Sequence, residues 1–389
     1  MSSIRWLNNY KGEEEMVFRI KTFGVVAACV ASLFALYACG GGGGGGTTPV
    51  SVTSNAYQGA GSAWSLTSKS DGTCTLSESN SNLQVNATCS KLSSGFTKIT
   101  VTSATGGNVN LVAPAAGTVT WAYEIAGYMM PFIGFTVDKV VPTVSTGTCA
   151  LSVNHNFVVS FGKLDPNQLL TSFNGWSHMG NYTINNVNGL TINGYAADGT
   201  QIMTNKNIPS FTLAGCTNGL KTDTDANNAK SSLYLTQNGG AIFHQDRSAS
   251  TATNDSQGSV ENDFMLPASN DVTSLAGLDG NYIGFVITSQ GAGNYATKKV
   301  AVTASNGAFA VSDLTGTDLT TSTPGHSNFT LTTKVSTSLY RGSLTHTNAG
   351  GSIGCAINAT SGQKIVICSG LDPADGTNKT LYSAILKSS

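Results

Sequence analysis

Six cysteines follow the glycine run Gly40–Gly46: Cys74, Cys89, Cys149, Cys216, Cys355 and Cys368. An even set of thiols in an exported chain points to disulfides, which persist where the compartment is oxidising. The five histidines, His155, His178, His244, His326 and His346, show no ligand spacing and no local cysteine partners, so no metal site is expected. Gly350-Gly351-Ser352-Ile353-Gly354 fits the G-x-S-x-G hydrolase pattern, whose serine must sit on a strand–turn–helix elbow. Here Ser352 leads into Cys355-Ala356-Ile357, which reads as strand, so no nucleophile is assigned. Gly175-Trp176-Ser177-His178-Met179 misses the same pattern, with Met179 where the second glycine belongs.

Asp223-Thr224-Asp225-Ala226-Asn227 resembles the opening of a calcium loop. The EF-hand glycine and glutamate positions hold Asn228 and Tyr234, so a polar turn is the better reading. Trp64, Trp121, Tyr123 and Trp176 could stack on sugars, but they lie in alternating segments that favour core packing. Asn-x-Thr triplets such as Asn86-Ala87-Thr88 are read as chance in an Asn/Thr-rich chain. No catalytic residue and no cofactor is expected.

The elements that would carry these residues begin with an address segment. Residues 23–36 form an uncharged apolar run preceded by Arg19 and Lys21. The run is short for a membrane span of about 20 residues and suits a signal-peptide core. Met16 directly precedes this compact leader and is a second candidate start, which would leave residues 1–15 unmade. The leader ends in Leu36-Tyr37-Ala38-Cys39, followed by seven glycines and Thr47-Thr48-Pro49. A glycine run with no strand before it, no helix after it and no lysine is a flexible tether rather than a phosphate loop.

Leu36-Tyr37-Ala38-Cys39 resembles the lipobox of bacterial lipoproteins. The resemblance implies cleavage before Cys39, a thioether-linked diacylglycerol there and an N-acyl chain such as palmitate. Several acyl chains anchor stably where one binds only marginally. Gly40, in place of an aspartate retention signal, implies the outer membrane. The periplasmic or cell-surface face is left open. With Asp71-Gly72-Thr73-Cys74-Thr75-Leu76 and Leu278-Asp279-Gly280-Asn281-Tyr282, the chain is similar to β-rich surface lipoproteins of bacteria.

Composition bounds the rest. Of 389 residues, 40% are hydrophobic and only 11% charged, so Ser, Thr, Asn and Gly must make the surface polar. The net charge of −1, without a basic run, excludes electrostatic binding of nucleic acid. Short alternating segments separated by Gly, Asn, Asp and Ser predict an all-β protein. Residues 1–38 are read as signal peptide, 39–49 as lipidated cysteine and tether, and 50–244 as a β-sandwich-like region with a split near 142. Residues 245–273 read as polar linker, and 274–389 as a small up-and-down, lipocalin-like barrel. Early strands are expected at Phe96–Thr102, Val109–Val112, Thr118–Ile125, Phe132–Val137 and Phe157–Phe161, with one helical turn around Asp165–Phe173.

Two hairpins carry a register. Pairing Cys74 with Cys89 centres a turn on Ser81-Asn82 and puts Cys74, Leu76, Leu83, Val85, Ala87 and Cys89 on one face. A turn at Ser361-Gly362 sets Cys355 opposite Cys368, Ile353 opposite Gly370 and Ile357 opposite Val366. Cys149 and Cys216 remain and could close a long loop. Eight strands are expected in the last domain, beginning near Tyr282, Lys298, Phe309, Phe329, Leu339, Ile353, Lys364 and Leu381. The chain therefore reads as a lipid-anchored, non-catalytic binding or structural module whose partner could be a protein or a glycan. A hollow barrel holding a small apolar ligand is the second reading, and a surface hydrolase the third.

Overall fold

Val-, Ile-, Thr- and Tyr-rich segments punctuated by Gly and Asn give, among the described residues, 27 strands in three antiparallel sheets. The computed structural model describes residues 51–389 apart from loop segments, the longest being 126–131, 134–139, 247–258 and 373–379. The leader, Cys39 and the glycine tether lie outside the described residues.

The first sheet holds β1 (Val52–Gly59), β2 (Ser62–Lys69), β3 (Thr73–Glu78), β4 (Leu83–Lys91), β5 (Thr97–Thr105), β6 (Val119–Ala122), β7 (Phe132–Ile133), β8 (Val140–Val141) and β9 (Val144–Ser145). Their order is β8-β7-β6-β5-β4-β3-β2-β1-β9. β8 and β9 occupy opposite edges, yet only Pro142 and Thr143 separate them in the chain. Three peptide steps span at most about 11 Å, so the two edges are drawn together and the sheet curls into a ring. Its buried face carries Trp64, Leu66, Leu76, Val85, Ile99 and Val101. Of the strand expected at Val109–Val112, residues 109 and 110 lie outside those described, and Val112 makes an isolated bridge to Gly107.

The β3–β4 register differs from expectation by two residues. Cys74 lies opposite Ala87, not Cys89, and the connection is the four-residue Ser79–Asn82. Turn chemistry decided this. The buried Glu78 carboxylate accepts from the Asn80 amide at 2.8 Å, from the Ser81 amide at 2.7 Å and from the Ser81 hydroxyl, while Asn82 adopts φ +53°. A slip of two keeps every side chain on its predicted face, because the strand period is two. The Cys74–Cys89 disulfide forms all the same, reaching diagonally with Cα atoms 5.7 Å apart.

The second sheet contains β10 (His155–Leu164), β11 (Leu170–Ser172), β12 (Ser177–Asn185), β13 (Gly189–Ala196), β14 (Gln201–Ile208), β15 (Leu220–Thr224), β16 (Lys230–Leu235), β17 (Ala241–Asp246) and β18 (Ser259–Pro267). The sheet runs β14-β13-β12-β10-β18-β17-β16-β15, with β11 paired to β10. Within the helical turn expected around Asp165–Phe173, Leu170–Ser172 forms the β11 ladder, and residues 165–169 and 173 lie outside those described. The split anticipated near 142 falls between β8 and β9, both strands of the first sheet, and the second sheet starts at His155.

The linker reading of 245–273 is also corrected. Ser259–Pro267 forms β18, paired to both β10 and β17. Its polar start, Ser259-Val260-Glu261-Asn262-Asp263, reads as loop by composition. The ladder and the burial of Phe264, Met265 and Leu266 make it a central strand.

The third sheet comprises β19 (Gly280–Ser289), β20 (Tyr295–Ser305), β21 (Ala308–Thr315), β22 (Thr321–Pro324), β23 (Phe329–Ser336), β24 (Leu339–Leu344), β25 (Gly351–Thr360), β26 (Gln363–Asp372) and β27 (Thr380–Ser388). Eight of these close into an antiparallel barrel through β20–β21 and β19–β27 pairing, and β22 adds outside β21. All eight expected strands are present. Asn306-Gly307 makes the β20–β21 turn with φ +47° and +84°, the conformation a two-residue hairpin needs. The Cys355–Cys368 register is as expected, residue for residue.

At Gly342 an added Cβ would lie 1.8 Å from the Thr330 carbonyl oxygen. Neighbouring backbones there approach more closely than any side chain allows.

β25, β26 and β27 are buried on both faces, as Ile365 to Ser369 illustrate. Inward residues fill the barrel. Outward ones, including Ala356, Ile365, Ile367 and Ile385, share one core cluster with Phe264 and Leu266 of the second sheet and Phe96 and Tyr123 beside the first.

Candidate functional site

The six downstream cysteines are joined as Cys74–Cys89, Cys149–Cys216 and Cys355–Cys368. The 67-residue separation of Cys149 and Cys216 gives the largest loop, for which chain-entropy arguments put the stabilisation at about 4 kcal/mol. Ser352 lies within β25, opposite Ser343 and Leu371, so the elbow a nucleophilic serine needs is not formed. Asp225 caps a hairpin turn, its Oδ1 accepting from the Asn227 and Ala229 amides at 2.8 and 2.9 Å. Among the described residues no group of three or more His, Cys, Asp or Glu is placed to hold a metal.

His244 is buried on β17. The side chains of His155, His178, His326, His346, Trp176, Ser177 and Met179 lie outside those described. Trp64 packs inside the first sheet, as the alternation implied.

The third barrel's interior is occupied by side chains. Tyr282, Phe309, Phe329, Tyr340 and Tyr382 are each at most 3% exposed. Phe309 stacks on Phe329 at 4.4 Å, flanked by Tyr282 at 5.7 Å and Tyr382 at 6.1 Å. The segment before β19 packs Val272 and Leu278 into the same cluster. It is tied there by the Tyr340 hydroxyl donating to the Val272 carbonyl and the Tyr282 hydroxyl donating to the Leu278 carbonyl at 2.6 Å. Burial pushes the Tyr282 and Tyr382 phenols above their ordinary range. A filled interior counts against the hollow-barrel reading.

Aromatic rings and lysines meet where the first sheet packs on the barrel's outer wall. Phe96 and Tyr123 stack at 4.5 Å. The Tyr123 hydroxyl donates to the Ile283 carbonyl oxygen at 2.9 Å. Lys387 donates to the Glu124 carbonyl oxygen at 2.9 Å and lies 5.2 Å from the Tyr123 ring centroid. Burial holds the Lys387 ammonium below the usual lysine range; Glu124 opposes that shift and neighbouring Lys91 adds to it. Lys299 sits 4.3 Å over Trp121, a cation–π contact, and Lys98 pairs with Asp318 at 2.7 Å.

No protein-family model and no curated protein matches the chain. Its function must therefore be argued from residues.

Sequence reading missed this junction. Alternation placed Trp121 and Tyr123 in strand-like sequence, but Lys299 and Lys387 lie far away in the chain, and nothing local signals that they converge. The one available signal was the unbroken apolar run Ile365-Val366-Ile367-Cys368, which marks a strand covered on both faces.

Proposed function

We propose that the protein is a lipid-anchored bacterial outer-membrane lipoprotein, a non-catalytic binding or structural module that acts through its outer surface. The observation that carries this reading is the fate of the cysteines. Three disulfides use six of the eight; of the two left, Cys29 lies inside the apolar leader, and Cys39, after that leader and before seven glycines, is the one placed for lipid. Disulfide-linked hairpins belong in an oxidising compartment, which lies beyond the inner membrane.

A serine held mid-strand and a barrel interior filled with aromatics both favour surface recognition over catalysis or ligand enclosure. The partner is a membrane through the anchor, and a protein or glycan through the polar surface. Labelling with a palmitate analogue, combined with membrane fractionation of Cys39→Ser, tests the anchor.

A further inference from the structure

Strand registers fix which end of the first sheet the tether leaves. Val52 lies opposite Lys69, Thr73 opposite Thr88, Lys91 opposite Thr97, and Thr97 opposite Ala122. These residues share one end, and the chain from Cys39 arrives there. All three lysines between residues 50 and 125, namely Lys69, Lys91 and Lys98, lie at this end. Of the connections at the opposite end, 60–61, 79–82 and 106–118 contain neither lysine nor arginine, and 134–139 carries a single lysine, Lys139, beside Asp138.

The barrel wall adds Lys299 over Trp121 and Lys387 beside Tyr123. Nearby acids are Asp71, whose carboxylate is engaged by Thr73, Glu124, and Asp318, which pairs with Lys98. Five lysines thus face three carboxylates, in a protein whose net charge is −1.

We propose that this end of the first sheet, with the lysine rim of the junction, binds anionic phospholipid headgroups at the bilayer surface. The proposal rests on the lipid-anchor reading for its orientation. Thirteen chain steps separate Cys39 from Val52, and Gly-rich composition over that length corresponds to an r.m.s. span of about 20 Å, which keeps this end of the anchored protein near the lipid. Within a Debye length, about 8–10 Å at physiological salt, a net positive face is drawn to a negative leaflet. The tether then determines which end approaches, and the lysines hold it there.

The test uses the mature-length chain carrying Cys39→Ser, purified without lipid and floated with vesicles. Phosphatidylcholine vesicles containing phosphatidylglycerol should carry the protein upward, and pure phosphatidylcholine vesicles should not. Raising salt from about 0.1 M to about 1 M should abolish flotation, since the Debye length shrinks to about 3 Å. Lys69→Gln and Lys91→Gln, both at exposed positions, should each weaken partitioning about fivefold, equivalent to about 1 kcal/mol per lysine. Lys230→Gln, on exposed β16, should change nothing.

The proposal is overturned by equal binding to both vesicles, by no binding to either, or by wild-type partitioning of Lys69→Gln and Lys91→Gln. Because the tested protein carries no lipid, such a failure leaves the Cys39 anchor to its own labelling experiment.

Discussion

The Tyr123 hydroxyl donates to the Ile283 carbonyl oxygen across 2.9 Å, joining residues 160 positions apart and two different sheets. Tyr123 is 1% exposed, stacked on Phe96 and seated on the barrel wall. Because one core cluster draws on all three sheets, the protein should unfold as a coupled body.

Tyr123→Phe keeps the ring and removes the donor, so it should cost about 1 kcal/mol. Tyr123→Ala also opens a cavity and should cost about 3–5 kcal/mol. Urea unfolding followed by tryptophan fluorescence and far-UV circular dichroism should give one transition for Tyr123→Phe and separated transitions for Tyr123→Ala. Superimposable probes in the alanine variant would show that the junction does not couple the sheets.

Alkaline stability provides a second test. Burial raises the phenol pKa of Tyr123, Tyr282 and Tyr382 in the folded state. The folded protein therefore holds protons that the unfolded chain releases above about pH 10. Stability should be flat with respect to these groups below pH 10 and fall above it, by about 1.4 kcal/mol per pH unit for each tyrosine. Tyr382→Phe should make that decline shallower. A decline equally steep in the variant would count against the assignment.

The disulfides are tested by non-reducing peptide mapping, which should recover Cys355 with Cys368, Cys74 with Cys89, and Cys149 with Cys216. Replacing Cys355 and Cys368 together by alanine should cost about 3 kcal/mol, the value for a loop of about 15 residues. Free thiols at these positions in the native protein would defeat the pairing.

Gly342 is intolerant for a different reason. A Cβ there meets the Thr330 carbonyl oxygen at 1.8 Å, and backbone cannot yield as a flexible side chain does. Gly342→Ala should destabilise by at least about 1–3 kcal/mol, the ordinary range for overpacking. Gly316→Ala, where an added Cβ meets nothing within 4 Å, controls for space; its φ of +82° leaves only backbone strain. Thermal melts of the two variants should differ, and equal melts would refute the close approach.

For Cys39→Ser, palmitate labelling should vanish and the protein should leave the membrane fraction in a wash at about 1 M salt, which removes electrostatic attachment. Unchanged fractionation would sink the anchor. Protease treatment of intact cells then reads which side of the outer membrane the β-rich part faces.

The sequence by itself determined what depends on neighbours in the chain. Strand period two placed Leu76, Leu83, Val85 and Ala87 on one face, and that survived a register slip of two. Turn residues at Gly362 fixed Cys355 opposite Cys368, and eight alternating segments in sequence announced the barrel.

Only tertiary structure decided what depends on residues remote in sequence. Ser259–Pro267 is polar enough to read as linker, and becomes a central strand because β10 and β17 flank it. The barrel could have been hollow or filled by its pattern alone; the volumes of Tyr282, Phe309, Phe329, Tyr340 and Tyr382 filled it. The gathering of Lys91, Lys98, Lys299 and Lys387 around Trp121 and Tyr123 arises where two sheets meet. Local pattern sets faces and turns, whereas long-range packing sets which faces are covered and which charges become neighbours.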